Sequence, residues 1–198
     1  MSTQKGSVLI VSLVFLLILT LVGISAMNMS SLEERMAGNF KDHQMAFQIA
    51  EAALVEAEGE VENAGYEMTD FFDDCSVTSN TCFDKNCAKG LCSSGAFPSS
   101  SDAVSSCTLG DSKPWQNWAN WNDTNKHKEQ QTVLPGAAAK AKYMVEFRCF
   151  IVKDPSTESP DPKNFVEWSP HFRITVLAKG GTEDSQVMLQ STYKLTNF

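Results

Sequence analysis

Six cysteines carry the most readily interpreted chemistry of this sequence. They are Cys75, Cys82, Cys87, Cys92, Cys107 and Cys149. None forms a CxxC pair and no histidines cluster with them, which disfavours a structural zinc site. If the region is exported, an even set of cysteines favours three disulfides. The short intervals from Cys82 to Cys92 favour small closed loops, and Cys149 is expected to bond to Cys107 or to one of the loop cysteines.

Three tryptophans in the stretch WQNWANW form a second group with regular spacing. Trp115, Trp118 and Trp121 recur at every third residue, so in a helical turn they share one face. We expect this face to pack against the sheet. The alternative is an aromatic platform for a partner subunit or a glycan.

Signatures of catalysis and metal binding are weak. The histidines, His43, His127 and His171, are isolated, and no hydrolase, zinc-protease or phosphate-loop motif is present. Two groups of acids lack calcium-loop spacing and are expected to be solvated: Asp70, Asp73 and Asp74, and Asp154, Glu158 and Asp161. A formal charge of −8 disfavours nucleic acid as a partner. We therefore predict that the chain is not an enzyme and binds no cofactor, metal or nucleic acid.

The N-terminal region contains an apolar segment long enough to cross a membrane. From Val8 to Met27 there are 20 residues without a charge, and as a helix they span about 30 Å. The apolar core of a secretory signal is only about 7–15 residues long. Lys5 lies before the segment and favours a cytoplasmic N-terminus. The segment is therefore expected to remain as an anchor.

Helical periodicity continues beyond the apolar segment. Apolar side chains recur three, four or seven residues apart at Met29, Leu32, Met36, Phe40, Phe47, Ala50, Leu54, Ala57 and Val61. Helix formers dominate, and no proline occurs before Pro98, which predicts one helix from about Val8 to about Asn63, roughly 80 Å long. Its first part is expected to lie in lipid or among similar helices, and its second part against a globular head.

Alternating apolar residues in the C-terminal third predict an antiparallel sheet. One run places Val145, Phe147, Cys149 and Ile151 on one face; the others contain Phe172, Ile174 and Val176, and Val187, Leu189, Tyr193 and Leu195. The last two runs are joined by GGTED, as in a hairpin. A sheet whose apolar face covers the amphipathic helix makes an α+β fold.

Three features occur together at the N-terminus. A short leader ends in Lys5-Gly6, an uncharged helix follows, and the stretches LEERMAGN and AFQIAEAAL occupy residues 32–39 and 46–54. Together they resemble the PilX-type minor pilins of type IV pili. Residues 172–181 and 187–195 show weaker similarity, and residues from about 65 to 140 show none. The resemblance implies a type IV pilin-like fold.

This resemblance also implies processing by a prepilin peptidase. The enzyme would cut between Gly6 and Ser7 and methylate the new N-terminus at Ser7. The expected organisation is a leader at 1–6, a membrane and filament-core helix at 7–27, its amphipathic continuation at 28–64, a disulfide-rich loop region at 65–140 and a sheet at 141–198. The helix would anchor the chain in the inner membrane with a periplasmic C-terminal domain, and later pack with other pilin helices in the pilus.

The fifth position of the processed chain departs from the pattern of most pilins. Most pilins carry a glutamate there, which pairs with the amino terminus of a neighbouring subunit, and this chain carries Val11. A buried carboxylate without a partner costs several kcal/mol, so a subunit that lacks a neighbour on that side gains by losing it. We interpret Val11 as an indication of a place at or near the filament tip. The alternative is a tolerant site at which valine only adds hydrophobicity.

Three functional hypotheses follow. The first is a minor pilin that packs with other minor pilins and the major pilin, primes polymerisation from a tip complex and has a tip adhesin as a candidate partner. The second is a minor pseudopilin of a type II secretion system. The third is a membrane-anchored adhesin whose middle region binds a surface, which the tryptophans and the disulfide loops support.

The expected oxidation state has a direct test. Mass spectrometry of the unreduced protein after alkylation should detect no labelled cysteine, because all six thiols are expected to be paired. Alkylation of any cysteine before reduction would contradict the prediction.

Overall fold

The structure is a computed structural model that describes residues 7–71, 80–93, 107 and 113–198. A long helix, α1, comprises Ser7–Asn63, as the periodicity predicts, and a short helix, α2, comprises Trp118–Asn122. The strands are β1 (Leu91–Ser93), β2 (Lys128–Glu129), β3 (Lys142–Val152), β4 (Trp168–Lys179) and β5 (Gln186–Lys194). Contacts divide the chain into two units, residues 1–42 and 43–198.

The five strands form one sheet in the order β1-β3-β4-β5, with β2 also paired to β3. The strands β3, β4 and β5 are antiparallel, as predicted, and β2 also runs antiparallel to β3. The predicted α+β fold class is confirmed, but the sheet is not purely antiparallel. The strand β1 lies in the region expected to be loop, and it pairs in parallel with Val145–Phe147 of β3.

A bulge in β3 changes which side chains face α1. Phe147 pairs with Phe172 and Cys149 pairs with His171, so Arg148 is an extra residue on β3. Beyond the bulge the alternation reverses, and Phe150 contacts Phe147 in the core with ring centroids 5.2 Å apart. The prediction that Cys149 and Ile151 continue the face of Val145 and Phe147 is therefore wrong.

Small side chains of α1 form its contact with the sheet. We call the buried residues Ala46, Ile49, Ala50, Ala53, Ala57 and Val61 the alanine stripe. They belong to one core cluster with sheet residues such as Val145 and Ile174. Because alanine has only a methyl group, the helix backbone lies close to the sheet along this stripe. The contact begins later than the sequence pattern suggests, since Met29, Leu32, Met36 and Phe40 are exposed.

Glutamates on both sides of the alanine stripe bind the residues that α1 packs against. On one side Glu60 pairs with Lys128 at 2.9 Å, and Glu56 accepts a hydrogen bond from the Gln131 amide at 2.6 Å. The other side is held by the hydroxyl of Ser191 donating to Glu58, the hydroxyl of Tyr193 donating to Glu62 and the amide of Asn197 donating to Glu62. The bond to Glu62 raises the pKa of Tyr193 to about 12, so the hydroxyl remains a donor at neutral pH. These polar contacts set the rotation of α1 about its own axis.

Enlarging one alanine tests the close approach of α1. Ala53→Leu should lower the free energy of unfolding by about 1–3 kcal/mol, because the larger side chain overpacks a fully buried site. The measurement is urea unfolding of the full chain in detergent micelles.

A matched control lies two residues further along the same helix. Val55→Leu adds one methylene to a side chain that is 70% exposed, and it should leave the stability within about 0.5 kcal/mol of the wild type. Equal effects of the two substitutions would contradict the close packing.

Candidate functional site

The unit of residues 7–42 presents an exposed apolar surface. All large apolar side chains from Val8 to Met27 are exposed, Val11 by 52%. The hydroxyls of Ser12, Thr20 and Ser25 donate to carbonyls three or four residues back at 2.8–2.9 Å, so the polar groups of this segment are satisfied inside the helix. Among the described residues, α1 contains one stretch that is long and apolar enough to cross a membrane, judged by length and composition.

The residues predicted for leader processing lie at the start of α1. Gly6 is outside the described residues, and Ser7 is the first residue of the helix. Val11 follows one turn later, among other exposed apolar side chains. Cleavage after Gly6 and methylation of Ser7 stay predictions.

Disulfides cross-link the region between α1 and β3. Cys87 is bonded to Cys92, which closes a small loop, and Cys107 is bonded to Cys149 on β3. The second bond is one of the alternatives that the spacing left open. Cys82 is also disulfide-bonded, and Cys75 lies outside the described residues. None of the described cysteines is free.

A glycine inside the Cys87–Cys92 loop lets it approach the neighbouring chain. Gly90 has φ +75°, and a Cβ on it would lie 2.8 Å from the amide nitrogen of Lys128. Only glycine, which has no Cβ, adopts this positive φ without strain and leaves room for the backbone of Lys128. The next residue, Leu91, begins β1, so the loop places this strand beside β3.

The three tryptophans do not share one buried face. Trp121 is buried, and its indole nitrogen donates to the carbonyl of Trp115 at 2.9 Å. Trp115 is half-buried. The guanidinium carbon of Arg173 lies over its ring, 5.5 Å from the ring centroid. Trp118 is 56% exposed. The expected packing thus describes Trp115 and Trp121 but not Trp118. The reason is that a short 3-10 turn, Pro114–Gln116, ends before α2 begins at Trp118, so no single helix carries all three. A partner surface at these tryptophans stays a prediction.

A buried ion pair lies on the face of the sheet opposite α1. Glu146 is 2% exposed on β3, directly across from Arg173 on β4. The guanidinium of Arg173 donates to both carboxylate oxygens at 2.7 Å, and Arg148 donates from 3.4 Å. Arg148 also donates to the carbonyl of Cys107 at 3.4 Å. The pair therefore joins the sheet to the disulfide-bonded region and to Trp115.

The histidines are dispersed in the structure. His43 is exposed, and His127 is buried with Nδ1 3.1 Å from the carbonyl oxygen of Asn120. Burial lowers the pKa of His171, and the neighbouring positive charge of Arg148 lowers it further. The surroundings of His171 therefore favour its neutral imidazole form.

The described acids bind neighbouring backbone and hydroxyl groups. Asp70 is buried, so the expectation that it is solvated is wrong, and it accepts from the Glu67 amide and the Thr81 hydroxyl. Asp154 accepts from the Ser156 amide. Glu158 is exposed, and Asp161 accepts from the Lys163 amide. Asp73 and Asp74 lie outside the described residues. Over the described part of the chain, no three acids, histidines or cysteines gather as metal ligands would.

Sequence reasoning missed the covered outer face of the sheet. Met144 and Leu177 are buried there with Cys87, Cys92 and Trp121. The sequence contained one indication of this covered face: Glu146 and Arg173 carry opposite charges and lie within two predicted strands. The register that pairs them was not predictable from their separate positions.

The long N-terminal helix is exposed and apolar at first and then packs on a mostly antiparallel sheet. This architecture defines a type IV pilin-like protein. Residues 5–55 match the PilX N-terminal family, and residues 74–195 match the C-terminal domain of the type IV pilus assembly protein PilX. The chain therefore belongs to the PilX family of type IV pilus assembly proteins. No curated protein and no solved structure matches it.

The buried ion pair gives a stability prediction. Arg173→Met should lower the free energy of unfolding by about 3 kcal/mol, because it leaves the Glu146 carboxylate buried with only the longer contact to Arg148. Lys179→Met is the control, since it breaks an exposed pair with Glu183 and should cost less than about 1 kcal/mol. Denaturant unfolding of both full-length variants measures the difference, and equal losses would show that Glu146 does not need its partner.

Proposed function

We propose that this protein is a minor pilin that joins other minor pilins in a complex at the pilus tip and primes filament polymerisation. The single observation that carries the proposal is Val11, where most pilins have the glutamate that pairs with a neighbour's amino terminus. A tip adhesin is a candidate partner of this complex.

Processing and retention of the helix fit this role. Cleavage between Gly6 and Ser7 would leave a mature chain whose first residues already belong to α1. Its exposed apolar side chains are suited to lipid before assembly and to neighbouring pilin helices afterwards. The same surface thus serves two environments of similar polarity.

The proposed orientation rests on charge and on redox chemistry. Lys5 before the apolar segment favours a cytoplasmic N-terminus, and residues after the segment would then lie in the periplasm. The disulfides Cys87–Cys92 and Cys107–Cys149 fit that oxidising compartment. The protein would be a single-pass inner-membrane protein until it enters the pilus.

The experiment restores the missing glutamate in a strain whose chromosomal gene is deleted. Expression of the wild-type chain should restore surface pili, while Val11→Glu should lower both their number and the recovery of the minor-pilin complex more than about tenfold. The reason is that a tip subunit offers the new carboxylate no amine partner. Surface pili, twitching and protein secretion are scored separately.

Two controls make this result specific. Val11→Leu keeps the site apolar and should behave as the wild type, and the amount of each variant in the membrane fraction shows whether insertion is normal. Unchanged piliation and complex formation with Val11→Glu would remove the argument for the tip. Loss of secretion with normal pili on gene deletion would indicate a type II secretion pseudopilin instead.

A further inference from the structure

A pocket at one end of the sheet has an unusual lining for so acidic a chain. Its volume is about 450 Å³, and we call it the basic pocket. Its lining includes Trp118, Trp121, Lys140, Lys142, Lys179 and Gln186. The volume falls within the range of about 300–1,000 Å³ that is common for small-ligand sites.

Strand register brings the polar groups of the basic pocket together. Lys142 begins β3 and pairs with Leu177 near the end of β4, and Lys179 at the end of β4 pairs with Gln186 at the start of β5. Lys140 precedes β3 in the chain. The three lysines therefore lie at the same end of the sheet.

The charge of the basic pocket is positive, although the chain carries a formal charge of −8. Three lysines line it, and no carboxylate is found among its described lining residues. Lys142 is held in place by donating to the carbonyl of Trp121 at 2.7 Å, and an ammonium has further protons to donate. Lys179 contacts Glu183 at 3.0 Å, but that glutamate is 73% exposed, so a bound anion could replace it at small cost.

Trp118 adds an aromatic face to the basic pocket. It is 56% exposed, whereas Trp121 and Trp168 are buried. Its backbone position is fixed, because Asn117 caps α2 by accepting a hydrogen bond from the Ala119 amide at 3.1 Å. An exposed indole beside ammonium groups matches a ligand that has both a flat apolar face and a negative charge.

We propose that the basic pocket binds an acidic saccharide. One face of a sugar ring would stack on Trp118, and its carboxylate or sulfate group would be held by Lys140, Lys142 and Lys179. A protein partner would bury about 800 Å² of this surface, far more than the pocket itself offers. The inference does not depend on the position of the subunit in the pilus, so it stands or fails separately from the proposed tip role.

Calorimetric titration of the full-length protein in detergent micelles, at low ionic strength, tests the proposal. The probes are an oligogalacturonate for the carboxylate, a heparin-derived oligosaccharide for the sulfate, a neutral maltooligosaccharide and an oligoglutamate peptide. At least one acidic saccharide should bind, the neutral one should bind more weakly, and added salt should weaken binding. Which acidic probe binds more tightly identifies the anion.

Variants locate the binding. Trp118→Ala should weaken affinity for the acidic saccharide about tenfold, and Lys140→Gln about two- to fivefold. Both side chains are exposed, so thermal unfolding should be unchanged. The controls are Val166→Ala and Lys163→Gln, which alter exposed residues just before β4 begins, at the other end of that strand from Lys179.

Three results would overturn the proposal. The first is no binding of either acidic saccharide. The second is an affinity that Trp118→Ala leaves unchanged or that the control variants lower equally. The third is binding of oligoglutamate as tight as that of the saccharides, which would point to an acidic protein segment as the occupant.

Discussion

The contact between the alanine stripe of α1 and the sheet is the interaction on which the rest of the structure depends. Alanines at Ala46, Ala50, Ala53 and Ala57 have no exposed surface, and they leave room for the aromatic side chains of the sheet. Burying apolar area here stabilises both the helix and the sheet, since neither is stable alone in water. The glutamates beside the stripe then fix the rotation of the helix, because each has its own partner.

The opposite face of the sheet is covered by a different kind of structure. Short loops carry few apolar groups, and here they are held by the Cys87–Cys92 and Cys107–Cys149 disulfides and by the buried pair of Glu146 and Arg173. The disulfides reduce the entropy of the unfolded chain. This stabilises the folded loops, which bury little apolar area. As a result both faces of the sheet are covered, while Trp118 of α2 stays exposed beside the lysines at one end of the sheet.

Sequence reasoning succeeded where one local pattern determines the outcome and failed where two distant segments meet. The helix Ser7–Asn63 and the strands β3 to β5 follow from periodicity, which is a property of neighbouring residues. The bulge at Arg148 was missed because it depends on the register between β3 and β4. The parallel strand β1 was missed because three residues give no usable alternation, and its partner lies some fifty residues further along the chain.

The sequence by itself determined that this protein has an uncharged apolar segment, a continuous helix and a C-terminal sheet, and its N-terminal motifs indicated the PilX family. These properties depend on composition and short-range spacing. Only the tertiary structure decided which part of α1 is buried, which tryptophan remains exposed, and that Glu146 faces Arg173. Those outcomes depend on how closely the helix and strands approach and on the register in which the strands pair. Side chains that look alike in the sequence pattern are buried or exposed according to this packing.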